Sequence, residues 1–163
     1  MKKNYLFFTI KPIMILLAFG LVFSSCSKKP ETEEDALRAV VEEMAQKASE
    51  KNIRGVMNFI SKDYRDDFGN ERRTIKGILL FELIKKERAK VFLRKINVEL
   101  DGDRAVVTVK AILARGVGVE KLSDIVLRDS AGFGFNLFFK KESDGKWRVV
   151  SGKWESIGAS VLL

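Results

Sequence analysis

The sequence predicts an α+β domain in which three helices precede an antiparallel sheet of about four strands. Three observations carry this. Between residues 37 and 60 apolar side chains recur every three or four positions, the repeat of one helix face. After Lys90 the repeat shortens to two, as in strands with one buried face. "DGD" at 101–103 and "SDGK" at 143–146 carry turn chemistry and separate the two-residue repeats. A run of helices followed by a run of strands gathers the helices on one face of a single sheet.

Ahead of the domain lies a leader. Lys2, Lys3 and Lys11 precede an apolar run at 13–23, and the small residues Ser24 and Ser25 follow. This is the layout of a secretory signal. The run is far shorter than the roughly 20 apolar residues of a membrane-spanning helix. The chain therefore divides into a signal peptide at 1–25, a tether at 26–32 headed by Cys26, and a domain at 33–163. Cys26 is the only cysteine, so no disulfide forms within the chain and no cysteine metal set is complete.

Within the domain, Thr32 followed by Asp35 resembles a capping box, and Glu33, Glu34 and Asp35 suit the positive end of a helix. Leu37, Val40, Val41, Met44 and Ala48 form the apolar stripe of the first helix, which ends near Glu50. Ile53, Val56, Met57 and Ile60 continue the spacing in a shorter second helix, weakened by Gly55. "SKDYRDDFGN" at 61–70 breaks the pattern and reads as a loop. Asn70 is placed to cap a third helix from Glu71 to about Lys90. Its middle, "GILLFELI", would also suit a buried strand; length decides for a helix.

Phe92, Ile96, Val98 and Leu100 are expected on one face of the first strand. In the second, Ala105, Val107, Val109, Ala111 and Leu113 alternate with Val106, Thr108, Lys110, Ile112 and Ala114. Gly116 and Gly118 interrupt it as bulges or a strand end. Residues 120–132 read as a loop or short strand. Phe133, Phe135, Leu137 and Phe139 then point one way, with Gly134, Asn136, Phe138 and Lys140 opposite, and "WRVVSGKWES" is the last long strand.

The chain has no histidine. That removes the commonest acid–base group near neutral pH, the Ser–His and Cys–His nucleophiles, and histidine metal sets. "GVG" and "GFG" lack the following helix of a phosphate loop. No cofactor and no metal are expected. The net charge is +8, and three of the lysines lie in the leader. The remaining surplus suits either a solvated surface or anionic lipid head groups. An exported chain without basic–aromatic alternation is not expected to bind nucleic acid.

Phe23-Ser24-Ser25-Cys26 resembles the lipobox of bacterial lipoproteins, departing from it at Phe23, where leucine is usual. The resemblance implies acylation of the Cys26 sulfur, cleavage just before it, and acylation of the new amino terminus. One acyl chain binds a membrane reversibly, whereas two or more attach stably. Ser27 stands where an aspartate retains many such proteins at the inner membrane, which favours the outer one. The protein is thus expected in the cell envelope, facing the periplasm.

The first helix, "FISKDYRDDFG", "LDGDRAVVTV" and "FKKESDGKWRVVSGKWE" together resemble the nuclear-transport-factor-2-like superfamily, also called cystatin-like or SnoaL-like. The resemblance covers about residues 33–156. It implies a strongly curved sheet wrapped around the first helix, forming a cone with a pocket. Gly116, Gly118, Gly132, Gly134 and Gly152 would serve where the sheet bends. The same cone hosts isomerases, dehydratases, carriers and interaction modules, so the resemblance speaks to fold rather than activity.

The His–Asp dyads of the dehydratase members have no counterpart here. The steroid-isomerase members use a buried Asp with a Tyr; Asp63 and Tyr64 are weak catalytic candidates of those types. In the competing reading Asp63 caps a turn, Tyr64 packs at the cone mouth, and the loop around Arg65, Asp66 and Asp67 is solvated. Arg94, Asn136, Phe135 and Trp154 are the ligand-pocket candidates; Arg94 is either a pocket cation or reaches solvent. Phe133, Phe135 and Phe139 are either plain core or a ligand cage. The preferred function is a lipid-anchored, non-enzymatic domain that binds a partner protein or a small apolar ligand through the cone. The alternatives are an isomerase- or dehydratase-type pocket enzyme, and a homodimeric assembly module pairing through Val106, Ile112, Phe138 and Val150.

Overall fold

The computed structural model describes residues 32–84, 89–115, 119, 121–125 and 130–162. The expected signal peptide, Cys26, Gly116 and Gly118 lie outside these residues. Three helices come first: α1 (Glu33–Ser49), α2 (Ile53–Met57) and α3 (Arg72–Leu79), the last extended by a π turn, Leu80–Ile84. Four strands follow: β1 (Ala89–Asp101), β2 (Arg104–Arg115), β3 (Ser130–Lys141) and β4 (Trp147–Ile157). They form one antiparallel meander in the order β1-β2-β3-β4.

α1 is capped as its sequence predicts: the Thr32 hydroxyl accepts from the Asp35 N–H at 3.0 Å. Its buried stripe is led by Leu37 and Val41. Four bonds lay it along the sheet. Glu33 accepts from Lys141 Nζ at 2.7 Å and from Trp147 Nε1 at 2.8 Å. Arg38 donates to the Ile96 carbonyl at 2.6 Å, and the Val91 N–H donates to Ser49 Oγ at 2.9 Å. The helix therefore starts at the β3–β4 hairpin and ends at the start of β1.

α2 is shorter than its spacing implies. It stops at Met57, and Ile60 instead forms a parallel bridge to Val149. α3 departs from expectation at both ends. Its N-cap is Glu71, without a side-chain capping bond, because the Asn70 amide is held by Asp66. It does not reach Lys90, since β1 already begins at Ala89.

β1 carries a bulge at Arg94, between Leu93 and Lys95. One extra residue reverses the inside–outside alternation. Val91 and Leu93 before it, and Ile96 and Val98 after it, pack on the main core, while Phe92 joins a second cluster behind the sheet. The expected single face of Phe92, Ile96, Val98 and Leu100 is thereby split, and Leu100 at the strand end is exposed. A second irregularity falls opposite Phe138 and Phe139, where Val150 is the unpaired residue of β4. Such bulges bend a sheet.

β2 keeps the predicted alternation: Ala105, Val107, Val109, Ala111 and Leu113 are buried against the helices. The opposite face is not uniformly open. Ile112 and Ala114 are buried beneath Leu162, Val119, Leu122 and Ile125. Part of this cover comes from 120–132, where Leu122–Asp124 forms a 3-10 turn, and part from the turn Ala159–Val161. Ile112 is fully buried and so is removed from the proposed pairing face; Val106, Phe138 and Val150 remain half-buried. Gly132 permits this closure, since a Cβ there would stand 2.7 Å from the Ile157 carbonyl oxygen.

Candidate functional site: an apolar cavity beneath the sheet

The helices and the concave sheet face enclose a cavity of about 290 Å³. α1 contributes Val41, Met44 and Ala48, and α3 with its π turn contributes Ile75, Ile78 and Glu82. Ala111, Phe133, Phe135, Gly152 and Trp154 come from the strands. The hollow follows from side-chain size. Ala45, Ala48, Ala111 and Gly152 face the same space from three directions, so large neighbours do not meet across it. Phe133 and Phe135 stand as tilted rings, 5.9 Å apart between centroids, along the wall. Phe139 is 1 % exposed and belongs to the solid core instead. The mouth lies where lining residues reach solvent, at Ile78 and Trp154, each 38 % exposed.

Among the described residues, the polar side chains of the lining are those of Tyr64, Glu82 and Trp154. The Tyr64 ring is buried, and its hydroxyl donates to Asp66 Oδ2 at 3.5 Å. Asp66 is itself buried, which corrects the expectation of a solvated loop at that residue, whereas Asp63, Arg65 and Asp67 are exposed as expected. It accepts from the Phe68 N–H at 3.0 Å, the Asn70 N–H at 2.8 Å and the Asn70 amide at 2.9 Å. Burial pushes the Asp66 carboxyl up, but the bonds from Asn70, Phe68 and Tyr64 together hold it below its ordinary value. Burial first, and then the Asp66 charge, push Tyr64 up to about 12. At neutral pH the pair is therefore an anion with its acceptor sites occupied and a neutral phenol. This pair clamps the loop.

The clamp predicts a pH profile. Asp66 has a lowered folded pKa, so its contribution is present above the ordinary carboxylate range and is lost as pH falls through the folded value. Tyr64 has a raised one, so its contribution is intact below about 10 and is lost as pH rises towards about 12. Urea midpoints should be flat near neutrality and fall at both extremes. Asp66→Asn should be less stable than wild type at pH 7, with the gap closing in acid.

The predicted site residues separate. Phe135 and Trp154 line the cavity. Arg94 does not: the bulge turns it outward, and its Nε donates to the Leu162 carbonyl at 2.6 Å. Asn136 lies exposed on the outer face, accepting from the Thr108 hydroxyl at 3.1 Å. Asp63 is exposed in the turn, its N–H bonded to Ser61 Oγ at 3.2 Å, while Tyr64 reaches the cavity. Glu82 was not singled out by the sequence. Its position in an apolar octet, "GILLFELI", is the signal that marks it. Among the described residues no cluster of acidic, cysteine or histidine side chains could hold a metal ion.

No protein-family model matches the chain, and no curated protein matches it. Solved structures do. An NTF2-like protein from Streptomyces avermitilis, provisionally named a dehydratase, superposes with a TM-score of 0.63 at 14% identity, covering 79% of this chain and 99% of its own. A ketosteroid isomerase-like protein from Erwinia carotovora atroseptica gives 0.55 at 12% identity, covering 78% and 98%. The chain has the NTF2-like fold. Bd1075 of Bdellovibrio bacteriovorus also matches, at 0.60 and 13% identity over 74% of this chain, but the chain spans only 40% of that protein. The NTF2-like cone is a pocket-bearing fold, and here the pocket is the apolar cavity between α1, α3 and the sheet.

Proposed function

We propose that this protein is a lipid-anchored component of a bacterial envelope whose cone holds a small apolar ligand without transforming it. The observation that carries this is the cavity: about 290 Å³, lined almost wholly by hydrocarbon, and open at one rim. An apolar cavity of about 150 Å³ already holds benzene. About twice that volume suits a fused bicyclic ring or a short acyl chain. The leader and Cys26 support the anchor, and Ser27 supports the outer membrane.

Binding rather than turnover is favoured by the state of the polar groups. Asp66 has its acceptor sites occupied, Tyr64 stays protonated until about 12, and among the described residues Glu82 is the one carboxylate of the lining. A base–acid pair of the kind proton-transfer enzymes use is not assembled there. The names of the Streptomyces and Erwinia proteins favour an enzymatic reading, for which Glu82 would be the base.

The protein purified from membranes should release an apolar compound into organic solvent, approaching one molecule per chain by mass spectrometry. Ala111→Phe, which fills the cavity, should carry several-fold less. Equal recovery from both proteins would overturn the assignment of the site. Conversion of the bound compound by wild type but not by Glu82→Gln would establish the enzymatic reading.

A further inference from the structure

The outward side of α3 is unusual for a helix next to a cavity. Ile78, Leu80 and Phe81 are 38 %, 40 % and 52 % exposed. Leu80 shares that side with Arg73 and Lys76, which are also exposed, Phe81 stands next to it, and Ile78 lies at the cavity rim. The only acid between residues 72 and 84 is Glu82, which faces the cavity. At the N-terminal end of α3 a shallow groove is lined by Lys62, Arg65, Arg72, Arg73 and Lys76 against only Asp63 and Glu71. The loop leading into the helix presents Phe68, 76 % exposed, from a backbone held rigid by Asp66. Exposed large apolar side chains flanked by cations are the signature of a helix that lies in a membrane interface. No described helix is long and apolar enough to cross a membrane, so this one would lie on it.

Tether length supports the same occupant. From Cys26 to Glu33 the chain extends at most about 25 Å. α1, with 17 residues, is itself about 25 Å long, and its far half lines the cavity. An acylated Cys26 on a tether as long as α1 therefore lets the far half of that helix, where the cavity lies, reach the bilayer at high effective concentration. When α1 lies along the membrane plane, the mouth at Ile78 and Trp154 can meet the surface.

We propose that α3 and its π turn form a bilayer-docking surface, with Leu80 and Phe81 among the acyl chains, Ile78 at the rim beside them, and Lys62, Arg73 and Lys76 on anionic head groups. Arg72 is held by the Met57 and Ile60 carbonyls, and Arg65 by Glu71. Docking opens the cavity mouth onto the membrane, so an apolar ligand passes between bilayer and cavity without crossing water. The proposal rests on the anchored-lipoprotein reading, and its test separates the two.

The full lipoprotein is reconstituted into vesicles of phosphatidylethanolamine and phosphatidylglycerol, with or without brominated acyl chains. Trp154 sits at the mouth, whereas Trp147, the other tryptophan, is buried at the β3–β4 hairpin. Brominated lipid should quench the fluorescence, and Trp154→Phe should remove the quenched component. Leu80→Glu with Phe81→Glu should abolish quenching while circular dichroism stays native, since both side chains are exposed. Arg73→Glu or Lys76→Glu should weaken docking by about fivefold per cation removed, and only on anionic vesicles. A vesicle-bound protein whose Trp154 is unquenched, or a double variant quenched like wild type, overturns the proposal. Should the protein fail to join vesicles, the anchor reading fails instead. Coupling a maleimide phospholipid to Cys26 then restores attachment, and the same quenching decides the docking claim.

Discussion

Phe139→Ala is expected to destabilise the fold by about 3–5 kcal/mol, whereas Phe138→Ala, one residue away, should cost on the order of 1 kcal/mol. Phe139 is 1 % exposed and packs in the core that includes Leu37, Val107 and Val149. Its removal leaves a cavity that backbone-anchored neighbours cannot fill, so the lost transfer energy and the void act together. Phe138 points to the outer face, half-buried, opposite Ser151. There water and side-chain rearrangement relieve most of the loss. Urea unfolding of both variants measures the difference directly. Equal costs would contradict the inside–outside assignment of β3, and with it the cavity wall built from Phe133 and Phe135.

Cys26→Ser is expected to have the largest effect on maturation. Stable attachment needs two or more acyl chains, and in the proposed anchor all of them depend on this one residue: acylation of its sulfur, and acylation of the amino terminus that cleavage before it would expose. The variant should lose labelled palmitate completely and, because cleavage depends on the same cysteine, keep its leader and migrate as a larger species than wild type. Far-UV circular dichroism of the described domain should be unchanged. A variant that is still cleaved ahead of residue 26 or still labelled, or a wild type that never takes up palmitate, would contradict the anchor.

Much of this architecture was legible because its signals are local. The α1 cap and stripe, the two Asp-Gly hairpin turns, and the alternation of β2 and β3 all depend on neighbours in sequence. The features that escaped are those set by closure of the whole. The bulge at Arg94 carries no sequence mark, yet it moves Phe92 off the core face and Arg94 out of the pocket set. The burial of Ile112 needs the chain end to fold back over β2. Asp66 looked solvated because it stands in a run of charges, but its own loop folds around it. The cavity is the least legible feature. It exists because Ala45, Ala48, Ala111 and Gly152, far apart in sequence, meet across one space. Of the pocket candidates, Phe135 and Trp154 were found by strand alternation, while Glu82 was hidden in an apolar run read only as helix or strand.

The central claim is that this space receives an apolar molecule. Phenylnaphthylamine, an apolar fluorophore, can be titrated into the chain from residue 27 onward, which lacks leader and cysteine, free of detergent and lipid. The account predicts a saturable rise in emission at one site per chain, lost when Ala111→Phe is added. No saturable binding by a folded protein, or equal binding by the cavity-filled one, would contradict it.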